Sequence, residues 1–191
     1  KFPAMPVDLT SVLGWPDGRG GRVVIAGVSS YEMGSRADAF GVPGVVAFSP
    51  ATGAMTSLVG GDSASVGPLA QSDYDGDGKL DLFVGGRILP RAYPLSPSSR
   101  LFRNEGGRLV PDAANNPLFA GLGMVSAATF ADVNGDGWPD LMVAVEWGTI
   151  RLFLNDRGSF KASEMQGLTG LASRWNGLAT GDLDGDGRLD I

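Results

Sequence analysis

A chain of 191 residues with 30 glycines, 12 prolines and neither cysteine nor histidine can bury one substantial core, but it is punctuated too often for long helices and calls for short strands and turns. The missing residue types exclude disulfides, thiolate nucleophiles, zinc sites of the usual kind and imidazole acid-base catalysis. Net charge is −6, yet about half of the acids fall at a few repeated loop positions and no basic stripe stands out, so nucleic acid is not an expected partner.

In chain order, a first unit over residues 8–60 offers strands at 23–28, 44–48 and 54–59, the last two joined by a turn at 49–53 that reads as a hairpin. A second unit, 66–111, runs from a strand at 66–72 into Asp73-Tyr74-Asp75-Gly76-Asp77-Gly78-Lys79-Leu80-Asp81. Strands follow at 81–86, 100–104 and 107–110, with a turn at 105–106. A third unit, 123–162, repeats the order: a strand at 124–131, a loop from Asp132 to Asp140, strands at 140–146 and 150–155, a turn at 156–158 and a strand at 159–161. A fourth unit, 174–191, supplies a strand at 175–181 and a third loop from Asp182 to Asp190. The expected fold is therefore all-β, a propeller of four-stranded antiparallel blades with about three and a half present.

Each loop reads as a calcium loop. Side-chain oxygens fall at positions 1, 3, 5 and 9, which are Asp73, Asp75, Asp77 and Asp81, then Asp132, Asn134, Asp136 and Asp140, then Asp182, Asp184, Asp186 and Asp190. Position 6 is glycine, which permits the reversal around one hard cation, and position 7 adds a backbone carbonyl from Lys79, Trp138 or Arg188. An EF-hand needs a carboxylate at position 12 and flanking helices; Val84 and Val143 stand there instead, and strands follow. Solvated Asp/Gly turns would explain one copy, but not an acid repeated at position 9 in three. Loop starts at Gly14, Asp73, Asp132 and Asp182 are 59, 59 and 50 residues apart. In the first, Gly14, Pro16, Gly18 and Arg22 replace the ligands, so three calcium ions are expected and none there. Three Ca²⁺ would also offset the net negative charge.

Within this frame the strings Phe83-Val84-Gly85-Gly86-Arg87-Ile88-Leu89-Pro90, Tyr93-Pro94 and Leu101-Phe102-Arg103-Asn104, with Arg151-Leu152-Phe153-Leu154-Asn155 as a second copy of the last motif, complete a family pattern. Together with the loops, the chain resembles the FG-GAP/VCBS repeat proteins, whose propellers include the integrin α-chain head, and within them the bacterial relatives of cartilage acidic protein. The resemblance implies calcium in the loops, a ring that is commonly seven-bladed, and adhesion, recognition or scaffolding more often than catalysis.

In such blades the 1–2 and 3–4 turns share a face, so the calcium loops lie with the short turns, while the longer connections, 29–43, 87–99, 111–123 and 162–174, gather on the opposite face. That face would carry Tyr31, Arg36, Arg87, Arg91, Tyr93, Glu146, Trp147, Arg174 and Trp175, rings and cations suited to an anionic or carbohydrate-like ligand. The plain alternatives are that Trp147 and Trp175 pack between blades, that Arg87 and Arg91 face solvent, and that Asn104 and Asn155 close their own hairpins. The expected function is a calcium-stabilised module presenting a protein- or glycan-binding face in an extracellular, periplasmic or cell-surface setting, where millimolar calcium suits weak sites. The rival is a propeller enzyme acting on polysaccharide or a phosphorylated group through Glu146 with Asp38 or Glu32. A third reading is a purely architectural spacer. No stretch is long enough to span a membrane, and no signal peptide is visible. Starting at Lys1 and ending at Ile191, the chain reads as a piece of a larger ring, closed by further blades or a second copy.

Overall fold

The computed structural model describes residues 7–18, 20–165, 167 and 170–191. Three antiparallel sheets follow one another along the chain. The first is β1 (Leu9–Pro16), β2 (Arg22–Val28), β3 (Val45–Phe48) and β4 (Met55–Val59), with a single turn of helix, α1 (Arg36–Ala39), in the β2–β3 connection. The second is β5 (Ser65–Ser72), β6 (Asp81–Ile88), β7 (Arg100–Glu105) and β8 (Arg108–Pro111). The third is β9 (Val125–Ala131), β10 (Asp140–Gly148), β11 (Ile150–Asp156) and β12 (Ser159–Ser163), preceded by a 3₁₀ turn at Asn116–Phe119. Each sheet is a meander in chain order, the plan of a propeller blade.

The strands at mid-blade are buried on both sides, which is why Leu82-Phe83-Val84 and Leu141-Met142-Val143 are unbroken apolar runs and do not alternate. Leu82 and Val84 join Trp15, Ile25, Val45 and Phe102 in a core between the first and second blades. Phe83 points the other way, into a core between the second and third blades that is centred on Phe119. The Phe119 ring stands edge-on to Phe83 at 5.4 Å and to Phe153 at 5.0 Å. Phe119 comes from the inter-blade connection, so truncating it should cost about 3–5 kcal/mol and loosen two blades together.

Two expectations are corrected. Gly14 and Pro16 do not open a degenerate loop: β1 continues through both, with Gly14 paired to Val24 and Pro16 to Arg22. The hairpin closes over residues 17–21, where Asp17 N–H donates to Gly21 O and Gly21 N–H to Asp17 Oδ1. The sequence had matched the nine-residue spacing to a strand that contains glycine and proline. In the fourth unit, residues 175–181 are not a strand. Regular pairing is confined to β13 (Ser173–Arg174), which adds to the far end of β10, and to a lone bridge between Gly181 and Asp190. Residues 182–189 form the loop and Asp190 pairs back to Gly181 alone, so 175–180 have no ladder to join among the described residues.

Candidate functional site

All three Asp-rich loops take the same form. Glycine at position 6 has φ of +84° in Gly78, +89° in Gly137 and +84° in Gly187, the left-handed conformation that the reversal requires. The position-1 carboxylate then accepts backbone N–H groups from inside the turn: Asp73 from Asp77 and Gly78, Asp132 from Gly135, Asp136 and Gly137, and Asp182 from Gly185, Asp186 and Gly187. At position 9 the carboxylate ties the loop to its own blade. Asp81 accepts from Tyr74 N–H and Asn104 N–H, and Asp140 likewise from Val133 N–H and Asn155 N–H.

Positions 1, 3 and 9 converge. Carboxylate oxygens of Asp73, Asp75 and Asp81 lie within 4.8 Å of one another, as do those of Asp182, Asp184 and Asp190. In the middle loop Asn134 stands at position 3, with Asp132 and Asp140 at positions 1 and 9. Position 5 points elsewhere: Asp77, Asp136 and Asp186 each accept the N–H of the position-7 residue, and Asp77 is also ion-paired with Lys79. Burial pushes Asp81 up to about 6, with the Asp75 and Asp77 charges adding to the rise. Asp140 is raised in the same sense, again chiefly by burial. An all-oxygen corner of crowded acids is chemistry for a hard divalent cation, whose charge would reverse that penalty.

Behind the first loop lies a polar network that sequence reasoning missed. Tyr74, at loop position 2, is fully buried and donates its hydroxyl to Asp112 Oδ2 at 2.6 Å. Asn115 donates to the same oxygen at 2.6 Å and to Gly158 O in the third blade, while its own Oδ1 accepts Phe160 N–H. Arg103 reaches from Asp112, at 3.4 Å, to Asp75, at 3.9 Å. Asn155 closes its hairpin through Gly158 N–H, as expected, and also donates to Tyr74 O across the blade boundary. The available signal was a tyrosine in an otherwise polar loop, but its partners lie 38 and 81 residues away.

On the opposite face the structure gathers most of the expected ligand residues. Glu146, 8% exposed, receives Arg87 from the second blade on one oxygen and Arg174 from β13 on the other, at 3.2 Å. Trp147 is 60% exposed, donates from Nε1 to Tyr93 Oη at 3.1 Å and has the Arg174 guanidinium 5.9 Å from its ring centre. Tyr31 and Arg87 line a cavity that also touches Tyr93 and Glu146. Trp175 is half-buried and bonds Gly148 O, which is the packing alternative for that residue. Arg91 is exposed on the 89–99 connection, and Arg36 opens α1. Of the acids considered as a carboxylate pair, Glu146 is ion-paired with the two arginines, Asp38 accepts from Ser35 Oγ at the start of α1, and Glu32 is exposed. No helix among the described residues is long and apolar enough to cross a membrane.

Comparison with known proteins agrees with this geometry. The family model for the FG-GAP-like repeat matches residues 73–143 and 132–191, each match beginning on position 1 of a loop. The chain is 32% identical over 123 residues to human integrin alpha-7, covering 57% of this chain and 10% of that protein. It is 26% identical over 131 residues to mouse integrin alpha-3, covering 64% of this chain and 12% of that protein. The chain thus spans about a tenth of the length of these relatives. With two matched repeats that together cover more than half of its residues, and with four-stranded blades of the kind those repeats build, the chain belongs to the FG-GAP-like repeat family.

Proposed function

We propose that this chain is part of a calcium-stabilised β-propeller that works as an adhesion or recognition module outside the cytoplasm, with protein or glycan bound on the face opposite the metal loops. The observation that carries the reading is the convergence of position-1, position-3 and position-9 oxygens in loops of one design. Asp73, Asp75, Asp81 and the Lys79 carbonyl would hold the first ion. Asp132, Asn134, Asp140 and the Trp138 carbonyl would hold the second, and Asp182, Asp184, Asp190 and the Arg188 carbonyl the third. Asp77, Asp136 and Asp186 would swing from the position-7 N–H to complete each shell. The ion locks a tight turn at the blade edge, far from the loop face, so its role is structural. Further blades of the same chain, or a second copy, complete the ring.

Calorimetric titration of chelator-treated protein with Ca²⁺ tests this. The expected stoichiometry is three, with a higher melting temperature on binding; at free calcium about 100 times the dissociation constant each site contributes about 2.7 kcal/mol. A stoichiometry of zero or one, or an unchanged melting temperature, overturns the reading.

A further inference from the structure

The blades differ in one dimension that a repeat does not dictate, the length of the connection between their second and third strands. In the second blade it spans residues 89–99; in the third only Thr149 separates β10 from β11. This step in height leaves a cleft of about 460 Å³ between the 89–99 connection, the inter-blade segment at 121–124 and the β10–β11 hairpin. A second cavity of about 260 Å³ shares Tyr93, Met124 and Glu146 with it. Together they lie in the size range of sites that enclose small organic ligands.

The hairpin edge is built against local preference. Trp147 has φ +60° and Arg91, on the opposing connection, φ +56°. A bulky side chain in the left-handed region is an outlier that a short hairpin ordinarily fills with glycine or asparagine, and such residues concentrate where a site is held in shape. The indole edge is pinned by Tyr93 Oη, and one flank lies near Arg174. Tyr31 and Tyr93, like Trp147, keep more than half of their surface exposed. Glu146 forms the buried floor with both oxygens engaged by Arg87 and Arg174. Arg151 lines the wall, exposed and without an ion-pair partner among the described residues. The lining is therefore net positive on a protein of net charge −6.

We propose that this cleft binds an acidic oligosaccharide, a carboxylate-bearing pyranose stacking its C–H face on Trp147 and directing its carboxylate to Arg151, with the next ring passing Tyr93 toward Tyr31. The assignment rests on the recognition-face reading above. Aromatic rings accept the apolar face of a sugar, a guanidinium takes a carboxylate in bidentate fashion, and the adjoining cavity gives room for a second ring. Isothermal titration of the calcium-loaded chain with trigalacturonate, with galactotriose as the matched neutral sugar and short polyglutamate as a non-sugar polyanion, tests it. Saturable binding of trigalacturonate is expected, at least tenfold tighter than galactotriose and polyglutamate. It should weaken at least tenfold in Trp147→Ala and at least fivefold in Arg151→Gln, each measured well below the melting temperature of that variant. No binding, equal binding of polyglutamate, or retention of affinity in Trp147→Ala overturns the assignment. Calcium stoichiometry measured on the same samples separates failure of the sugar site from failure of the module reading.

Discussion

Removing one oxygen from Tyr74 should cost more than its small size suggests. The phenol lies in the inter-blade core, 5.3 Å from the Phe160 ring, and Tyr74→Phe keeps that packing while deleting the 2.6 Å bond to Asp112. Asp112 is 3% exposed, so no water replaces the lost donor. Burial alone would push its carboxyl up, but the Tyr74 hydroxyl, followed by Asn115, outweighs burial and holds it below the usual range. A hydrogen bond to a charged group contributes about 1.5–3 kcal/mol, and the bonds from Asn115, Ala114 N–H and Arg103 remain. A loss of about 2 kcal/mol follows, or a fall in melting temperature of about 4–8 °C for a chain of this size. Because the folded carboxyl is depressed below its unfolded value, its stabilisation is complete above about pH 4 and disappears as the pH falls through the folded value. Thermal melts of both proteins at saturating calcium should therefore show the full gap at pH 7 and a narrowing gap below about pH 4. A gap under about 1 °C at pH 7, or one that widens in acid, would refute the reasoning.

Asn155→Ala removes donors to Tyr74 O and Pro139 O and the acceptor of Gly158 N–H, all in buried or half-buried positions, and should lower unfolding free energy by about 2–4 kcal/mol in urea titrations. Alanine in place of Gly76, Gly135 or Gly185 meets the same left-handed strain, about 1–2 kcal/mol, at φ of +75° to +79°. Only at Gly76 does the added methyl also press on a neighbour, 2.9 Å from Trp138 Cη2, so Gly76→Ala should be the most destabilising of the three in parallel melts. Trp138 belongs to the middle loop and covers the first, so terbium bound in calcium's place should luminesce strongly on tryptophan excitation. Trp138→Phe should dim that emission sharply while calorimetry still counts the same number of ions.

What could be read from the residues was chemistry that closes on itself within about ten positions. The loop glycines and the Arg-Leu-Phe-x-Asn hairpins each satisfy their own turn, and there the expected turns and the structure coincide. The nine-residue template misled at Gly14, because a glycine and a proline inside an edge strand imitate loop spacing when no partner strand is visible. It was silent about position 5, whose carboxylates turn to the position-7 N–H, because spacing fixes a side chain's location and not its rotamer. Tyr74, Asp112 and Asn115 were missed for a different reason: each looks ordinary alone, and their joint role depends on two blades meeting.

Asn104 and Asn155 show how the two kinds of information combine. They occupy the same place in the repeat, and each accepts the N–H of its own hairpin and donates to the loop carbonyl of its own blade, from Leu80 or Pro139. Asn155 alone adds a bond backward, to Tyr74 O of the preceding loop. The preceding blade of Asn104 is the first, whose β1–β2 turn lies between Pro16 and Arg22 and, among its described residues, has none corresponding to Tyr74. The two turns still abut: Gly18 faces Gly107 as Asp75 faces Gly158. The shorter turn thus offers neither the ligand positions nor an acceptor in the place of Tyr74 O. Between the first and second blades the apolar core around Trp15, Ile25 and Phe102 is joined by single bonds at β5, from Thr10 Oγ1 to Gly67 O, from Leu69 N–H to Ser11 Oγ and from Ser30 N–H to Ser65 Oγ, whereas the second and third blades share a core and the connected network of Tyr74, Asp112, Asn115 and Asn155. Hydrogen exchange should accordingly find the first blade opening at lower free energy than the other two. Equal protection of β2 and β10 amides would show that the polar network adds nothing to blade cohesion.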